Sequence, residues 1–148
     1  MGRILGIDYG EKRIGIAMCD PLQRLSSALC TINNTALKKS LGEIVNICSN
    51  QQVVAVIVGM PVNMDGSRGE KAEWIDQFIV KIQNRLPKTP VLPWDERWST
   101  KSAENILHES GKSPSKHRHL IDQIAAEIIL QSFLDRLDFM KRAETGQH

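Results

Sequence analysis

The sequence predicts an α/β fold, a mixed five-stranded sheet with helices on both faces. Three observations predict it. Ile4–Ile7 and Arg13–Met18 are apolar runs joined by a tight turn at Glu11-Lys12, the pattern of an antiparallel hairpin. Val53–Val58 is a β-branched-rich run without polar interruption, as in a parallel strand buried on both faces. Segments with helical periodicity separate the later strands, and a strand reached through a helix lies parallel to its neighbour.

Each element follows in order. Asp20-Pro21 marks a turn, after which Ser26–Ile32 is a third strand. Leu37, Leu41, Ile44, Val45 and Cys48 fall at helical spacing, so Thr35–Ser49 is predicted as an amphipathic helix. A second helix over Glu70–Leu86 carries Ile75, Phe78, Ile79, Ile82 and Leu86 on one face, and Pro87 stops it. Val91–Trp94 is a short strand. Ser99-Thr100 then caps a helix that Gly111 ends. The basic stretch Lys112–His119 leads to a last helix, Lys116–Lys141, with Ile121, Ile124, Ala125, Ile128, Ile129 and Phe133 as its apolar residues. The order β-β-β-α-β-α-β-α-α is that of the ribonuclease H-like fold, in which the first strand is central. That frame serves nucleases and sugar-kinase or actin-like phosphate binders alike, so side chains must decide the chemistry.

Composition narrows the classes. At 148 residues the chain suits one domain, expected over residues 1–142 with a frayed tail at 143–148. It is 41% hydrophobic and 24% charged, an ordinary globular balance. No apolar run reaches membrane length and no signal peptide is evident, so a cytoplasmic location and no membrane partner are expected. Cys19, Cys30 and Cys48 are odd in number and far apart, which suggests neither a disulfide framework nor a zinc site. The net charge of +2 requires any nucleic-acid surface to be a local basic patch.

Carboxylates carry the chemistry. Asp8 ends the first strand, Asp95-Glu96 ends the last, and parallel strands bring both to one rim. Side chains alternate along a strand, so only one of Asp95 and Glu96 turns toward Asp8, and periodicity does not choose between them. Asp122 projects from or beside the apolar face of the final helix, where a carboxylate is costly unless paired, hydrogen-bonded or holding a metal. Its purely structural alternatives are an ion pair with Arg118 or a favourable place at a helix start. Three such acids make an oxygen-rich site suited to Mg²⁺ or Mn²⁺. Two ions roughly 3.5–4 Å apart could clamp a phosphodiester there. No His or Cys base is needed.

Four motifs then resemble the YqgF (RuvX) family of the ribonuclease H-like superfamily, relatives of the RuvC-type Holliday junction resolvases. They are Asp8-Tyr9-Gly10 with Lys12–Ala17, Val58–Ser67, Asp95–Thr100, and Asp122 with Ala125-Ala126. The resemblance spans nearly the whole chain. It implies a metal-dependent nuclease that trims the 5′ side of the 16S ribosomal RNA precursor, with resolution of four-way DNA junctions as the alternative. It also implies catalytic and metal-binding roles for Asp8, the Asp95-Glu96 pair and Asp122. In the resolvase relatives the second acid ends the fourth strand, which here ends in Gly59-Met60-Pro61, so that duty falls to Glu96, with Asp65 of the next loop an outside candidate.

Substrate contacts are expected from Lys12 and Arg13 at the hairpin tip, Arg97 and Thr100 after the last strand, and Lys116 and Arg118 near the last helix. Trp74, Trp94 and Trp98 are candidates for stacking on unpaired bases, with Trp98 the best placed for exposure. The partner is then nucleic acid, a ribosomal RNA precursor ahead of a DNA junction, with the ribosomal particle as a source of specificity. A noncatalytic nucleic-acid-binding module would need the glycine-rich hairpin but not all three acids.

Overall fold

The structure is a computed structural model that describes residues 1–63, 65–96, 111 and 117–146. The helix expected between Ser99 and Gly111 lies outside the described residues. β1 (Arg3–Tyr9) and β2 (Arg13–Cys19) form the opening hairpin, and β3 (Ser26–Asn33) extends it antiparallel. β4 (Val53–Met60) pairs parallel with the other side of β1, and β5 (Val91–Asp95) pairs parallel with β4. The sheet order is β3-β2-β1-β4-β5, which makes the first strand central. α1 (Leu37–Asn50) and α2 (Glu70–Arg85) are the crossovers into β4 and β5, and α3 (Arg118–Glu144) follows β5. Among the described residues no helix is long and apolar enough to cross a membrane.

Strand alternation divides the interior in two. Leu5, Ile7, Ile14, Ile16, Val56 and Val58 face Leu41 and Ile44 of α1 and Ile75, Phe78 and Ile82 of α2. Ile4, Ala17 and Ile57 point the other way, onto Ala126, Ile129, Leu130 and Leu134 of α3. Each face therefore has its own apolar layer.

The layer under α3 is floored with glycine. A Cβ at Gly6 would stand 2.7 Å from Leu130 Cβ and 3.1 Å from the Ala126 carbonyl oxygen. One at Gly15 would overlap the Asp122 backbone, and one at Gly59 would overlap the Glu96 carboxylate. On the helix side the contact is made by the Asp122 backbone, the Ala126 carbonyl, Ile129 and Leu130, beside fully buried Ala125 and Ala126. Small residues on both surfaces let helix and sheet backbones approach closely, which gains dispersion contact.

That closeness explains a difference from the predicted face of α3. The helix buries Ala125, Ala126, Ile129, Leu130 and Leu134, while Ile121, Ile124, Ile128 and Phe133 are half-buried. Its apolar arc is too wide for periodicity to find the deepest edge, and the glycine floor selects the side bearing two alanines. Other boundaries move by one to three residues. β1 runs on through Tyr9 because Asp8 and Tyr9 stay in register with Gly15 and Ile14. α1 starts at Leu37, without a side-chain cap. Asn34 instead ties the hairpin tip: its Nδ2 donates to the Gly10 carbonyl at 3.1 Å, and Ser40 Oγ donates to its Oδ1 at 2.8 Å.

Two substitutions separate close approach from backbone freedom. Gly15→Ala is expected to destabilise by about 1–3 kcal/mol through overpacking against α3. Gly42→Ala, in mid-α1 with nothing within 4 Å of the new methyl, should stabilise by about 0.5–1 kcal/mol. Denaturant unfolding of both variants checks the opposite signs.

Candidate active site

Asp8 is the penultimate residue of β1, and alternation after Ile4 and Gly6 turns it to the α3 side. It sits opposite Gly15 in the hairpin register. Burial pushes its carboxyl up to about 6, offset in part by the Lys71 cation and reinforced by the Asp122 anion.

Glu96 follows β5 directly. Its N–H donates to the Met60 carbonyl at 3.1 Å, so the ladder with β4 continues one step past the strand. Trp94, in register with Gly59, stacks on Phe133 of α3 with ring centroids 5.3 Å apart. Alternation then turns Glu96 to the same side, over Gly59, and Asp95 to the opposite side, where it is exposed. The structure thus brings Glu96, not Asp95, to the face that carries Asp8. Glu96 is only 7% exposed, and among the described residues its Oε2 is buried without a hydrogen-bond partner. Burial, together with the negative charge of Asp8, raises its pKa to about 7, Lys71 again opposing.

Asp122 comes from the second turn of α3, whose backbone rests on Gly15. Arg13 Nε donates to its Oδ2 at 2.8 Å, in a pair whose side chains are 24% and 18% exposed. The partner is thus Arg13 rather than Arg118, which is exposed at the start of α3. Arg13 lies two residues before Gly15 on the same strand face, directly in the path of Asp122. This pairing engages the third acid. Among the described residues no group of three His, Cys, Asp or Glu side chains is arranged to hold a metal ion.

Of the remaining expected contacts, Lys12 is exposed at the hairpin tip and lines the cavity that holds Asp8 and Asp122, while Arg97, Trp98, Thr100 and Lys116 lie outside the described residues. Asp65 is exposed and closes its own turn, accepting hydrogen bonds from Ser67 N at 2.9 Å and Ser67 Oγ at 2.6 Å. Trp94 donates from its indole to Ser132 Oγ at 3.1 Å and is packed against α3. Lys71 was not legible beforehand. It stands in the first turn of α2 and lines, with Asp8, Arg13, Trp74 and Asp122, a cavity of about 410 Å³. The available signal was its position: α2 begins just beyond the carboxyl end of β4, where open α/β sheets bind ligands.

Donor chemistry at this rim fits a hard divalent cation. The donors are carboxylate oxygens, and Glu96 Oε2, without a hydrogen-bond partner among the described residues, is a buried acceptor that a cation would satisfy.

The raised acids also set a pH dependence. Asp8 and Glu96 keep protons in the folded state where the unfolded chain has lost them, so the metal-free protein is most stable below about pH 4 with respect to these groups. That contribution is lost as pH rises through about 6 and about 7. The share of Glu96 is on the order of 3 kcal/mol. Urea unfolding in EDTA should show stability falling over this range, and Glu96→Gln should flatten the slope. An unchanged slope in that variant would contradict the burial of the carboxyl.

Comparison with known proteins follows the same direction. The sequence matches the RuvX family, described as Holliday junction resolvase, over residues 2–136. A protein of Syntrophus aciditrophicus (strain SB) named "Putative pre-16S rRNA nuclease" is 41% identical over 135 residues, covering 91% of this chain and 89% of that protein. One of the same name from Syntrophomonas wolfei subsp. wolfei is 44% identical over 133 residues, covering 90% and 94%. Among solved structures, T. thermophilus RuvC in complex with Holliday junction substrate has a TM-score of 0.58 at 16% identity, covering 93% of this chain and 97% of that one. The fowlpox virus Holliday junction resolvase has a TM-score of 0.58 at 14% identity, with 91% and 99% covered. At such identities the structures speak for the fold, which is ribonuclease H-like as the order of elements predicts. With the family matched over nearly its whole length, and relatives sharing about two-fifths of its residues, the chain belongs to the RuvX family.

Proposed function

We propose that the protein is a metal-dependent nuclease that hydrolyses phosphodiester bonds of a ribosomal RNA precursor, in 5′-end maturation of pre-16S rRNA. Family membership and the names of its relatives support nuclease activity and this substrate. The observation that carries the metal dependence is the buried, unpartnered Oε2 of Glu96 on the face that carries Asp8. Among the described residues Asp122, by contrast, is paired with Arg13.

Asp8, Glu96 and Asp122 would hold Mg²⁺ or Mn²⁺, one ion or the two of a two-metal arrangement. A divalent cation bound there supplies Lewis-acid stabilisation of charge developing on the scissile phosphodiester. The chain's own residues do the rest. Asp8 and Glu96 must release the protons that burial lets them keep, so cleavage should increase with pH through about 6 and about 7. Asp122 reaches the site by giving up Arg13, and the freed guanidinium then offers paired N–H donors to a phosphate. Lys12 and Arg118, both exposed near this rim, add phosphate contacts further along the strand. Such an enzyme works in the cytoplasm, and a chain with this little surface outside the site would draw specificity from the ribosomal particle.

The family's description as Holliday junction resolvase supports a second reading, in which the same acids cut a four-way DNA junction. Purified protein offered a 16S precursor and a four-way junction, with and without Mn²⁺, should cut the RNA in a metal-dependent way. Cutting of the junction alone would favour the second reading. Asp8→Asn should abolish cleavage while leaving the circular dichroism spectrum unchanged. Undiminished cleavage by that variant would remove Asp8 from the catalytic site, and binding of RNA without any cleavage by the wild type would leave a binding module, not a nuclease.

A further inference from the structure

The carboxylates face a second wall. One side of the 410 Å³ cavity is the β1–β2 hairpin and the start of α3; the other is the beginning of α2, which contributes Lys71 and Trp74. These residues are three apart, so their side chains leave α2 on one side. Ile75 and Phe78, four and seven residues on from Lys71, continue that side of the helix into the core.

Neither side chain has a structural reason to be there. Lys71 sits in the first turn of α2, the end of a helix dipole that disfavours cations and suits its neighbours Glu70 and Glu73. What it does meet is the field of Asp8 and Glu96, whose carboxyls it holds down against burial. Trp74 is 40% exposed, and among the described residues its ring stacks on no other aromatic side chain. Tyr9 and Phe78, by contrast, stack on each other at 4.3 Å, and Trp94 is stacked on Phe133.

The indole also lines an adjoining pocket of about 230 Å³, together with Tyr9, Gln77 and Lys81. Trp74, with Tyr9 and Glu11, lines both cavities, with Lys71 in one and Lys81 in the other. A flat aromatic surface between two cations suits one nucleotide base flanked by its phosphates. A duplex keeps its bases stacked inside and cannot offer one to this surface, whereas an unpaired strand can.

We propose that Lys71 and Trp74 bind the substrate beside the carboxylates: Lys71 takes the phosphate brought to Asp8 and Glu96, and Trp74 stacks the unpaired base next to it. The protein thereby selects a single-stranded segment at the point of cleavage. The proposal deepens the nuclease reading and rests on it, but binding without cleavage tests it separately.

Fluorescence anisotropy in EDTA, with a labelled single-stranded RNA and the duplex of the same sequence, gives the test. Trp74→Ala should weaken single-strand binding by roughly 5- to 100-fold. Its effect on the duplex should be under about twofold, and Trp74→Phe should recover most of the loss because a ring is restored. Lys71→Gln should reduce the slope of log Kd against log salt on the single strand by about 0.7, one phosphate contact. Both side chains are exposed, so the variants should unfold at the wild-type denaturant midpoint. Equal losses on both RNAs, no loss in Trp74→Ala, an unchanged salt slope in Lys71→Gln, or no single-strand binding by the wild type would each overturn the proposal. None of these results touches metal-dependent cleavage or its loss in Asp8→Asn, which test the nuclease reading alone.

Discussion

The close contact of α3 with a glycine floor is the constraint on which the rest depends. Gly6, Gly15 and Gly59 come from three adjacent strands, and at each a Cβ would collide with the helix or with Glu96. Because the helix can settle so low, Glu96 after β5 is buried and Asp8 at the end of β1 is half-buried at the edge of the cavity. The same contact brings Asp122 across the hairpin. Packing thus creates the electrostatics, and a larger residue in the floor would lift the helix and wet the acids.

Covering carboxylates is costly, and the structure treats its three differently. Asp122 is neutralised by Arg13, an ordinary solution for a half-buried anion. Among the described residues, Asp8 and Glu96 have the more distant help of Lys71, and burial still wins, which is why both pKa values lie above the usual carboxylate range. A fold selected for stability alone has no reason to bury an Oε2 that no described residue partners. Stability left unclaimed at such a position is the mark of a binding site.

The fold was legible because its signals are local: period 2 in the hairpin, a β-branched run in β4, helical spacing in α1 and α2. Asp8 was legible for the same reason, as a carboxylate at the end of an apolar strand. The choice between Asp95 and Glu96 was not, because β5 has five residues, with Pro93 and exposed Leu92 among them, and shows no clean alternation. Its register against β4 decides which way each acid turns. The Arg13–Asp122 pair joins residues 109 apart, a distance over which pattern is silent. Arg118 looked a nearer partner only along the chain. Lys71 was hidden among the charges of a helix that otherwise reads as a solvated face. Arg97, Thr100 and Lys116, equally plain as cations or cap in the sequence, fall outside the described residues.

Cation binding by the buried acids is the central claim, and calorimetric titration of Mn²⁺ tests it most directly, free of any choice of nucleic acid. Wild-type protein near pH 8, above both raised pKa values, should bind Mn²⁺ with a heat that is lost when either Asp8→Asn or Glu96→Gln removes a donor. Below about pH 6 the binding should weaken as the carboxyls regain their protons. Undiminished Mn²⁺ binding by both variants would contradict a metal centre at Asp8 and Glu96.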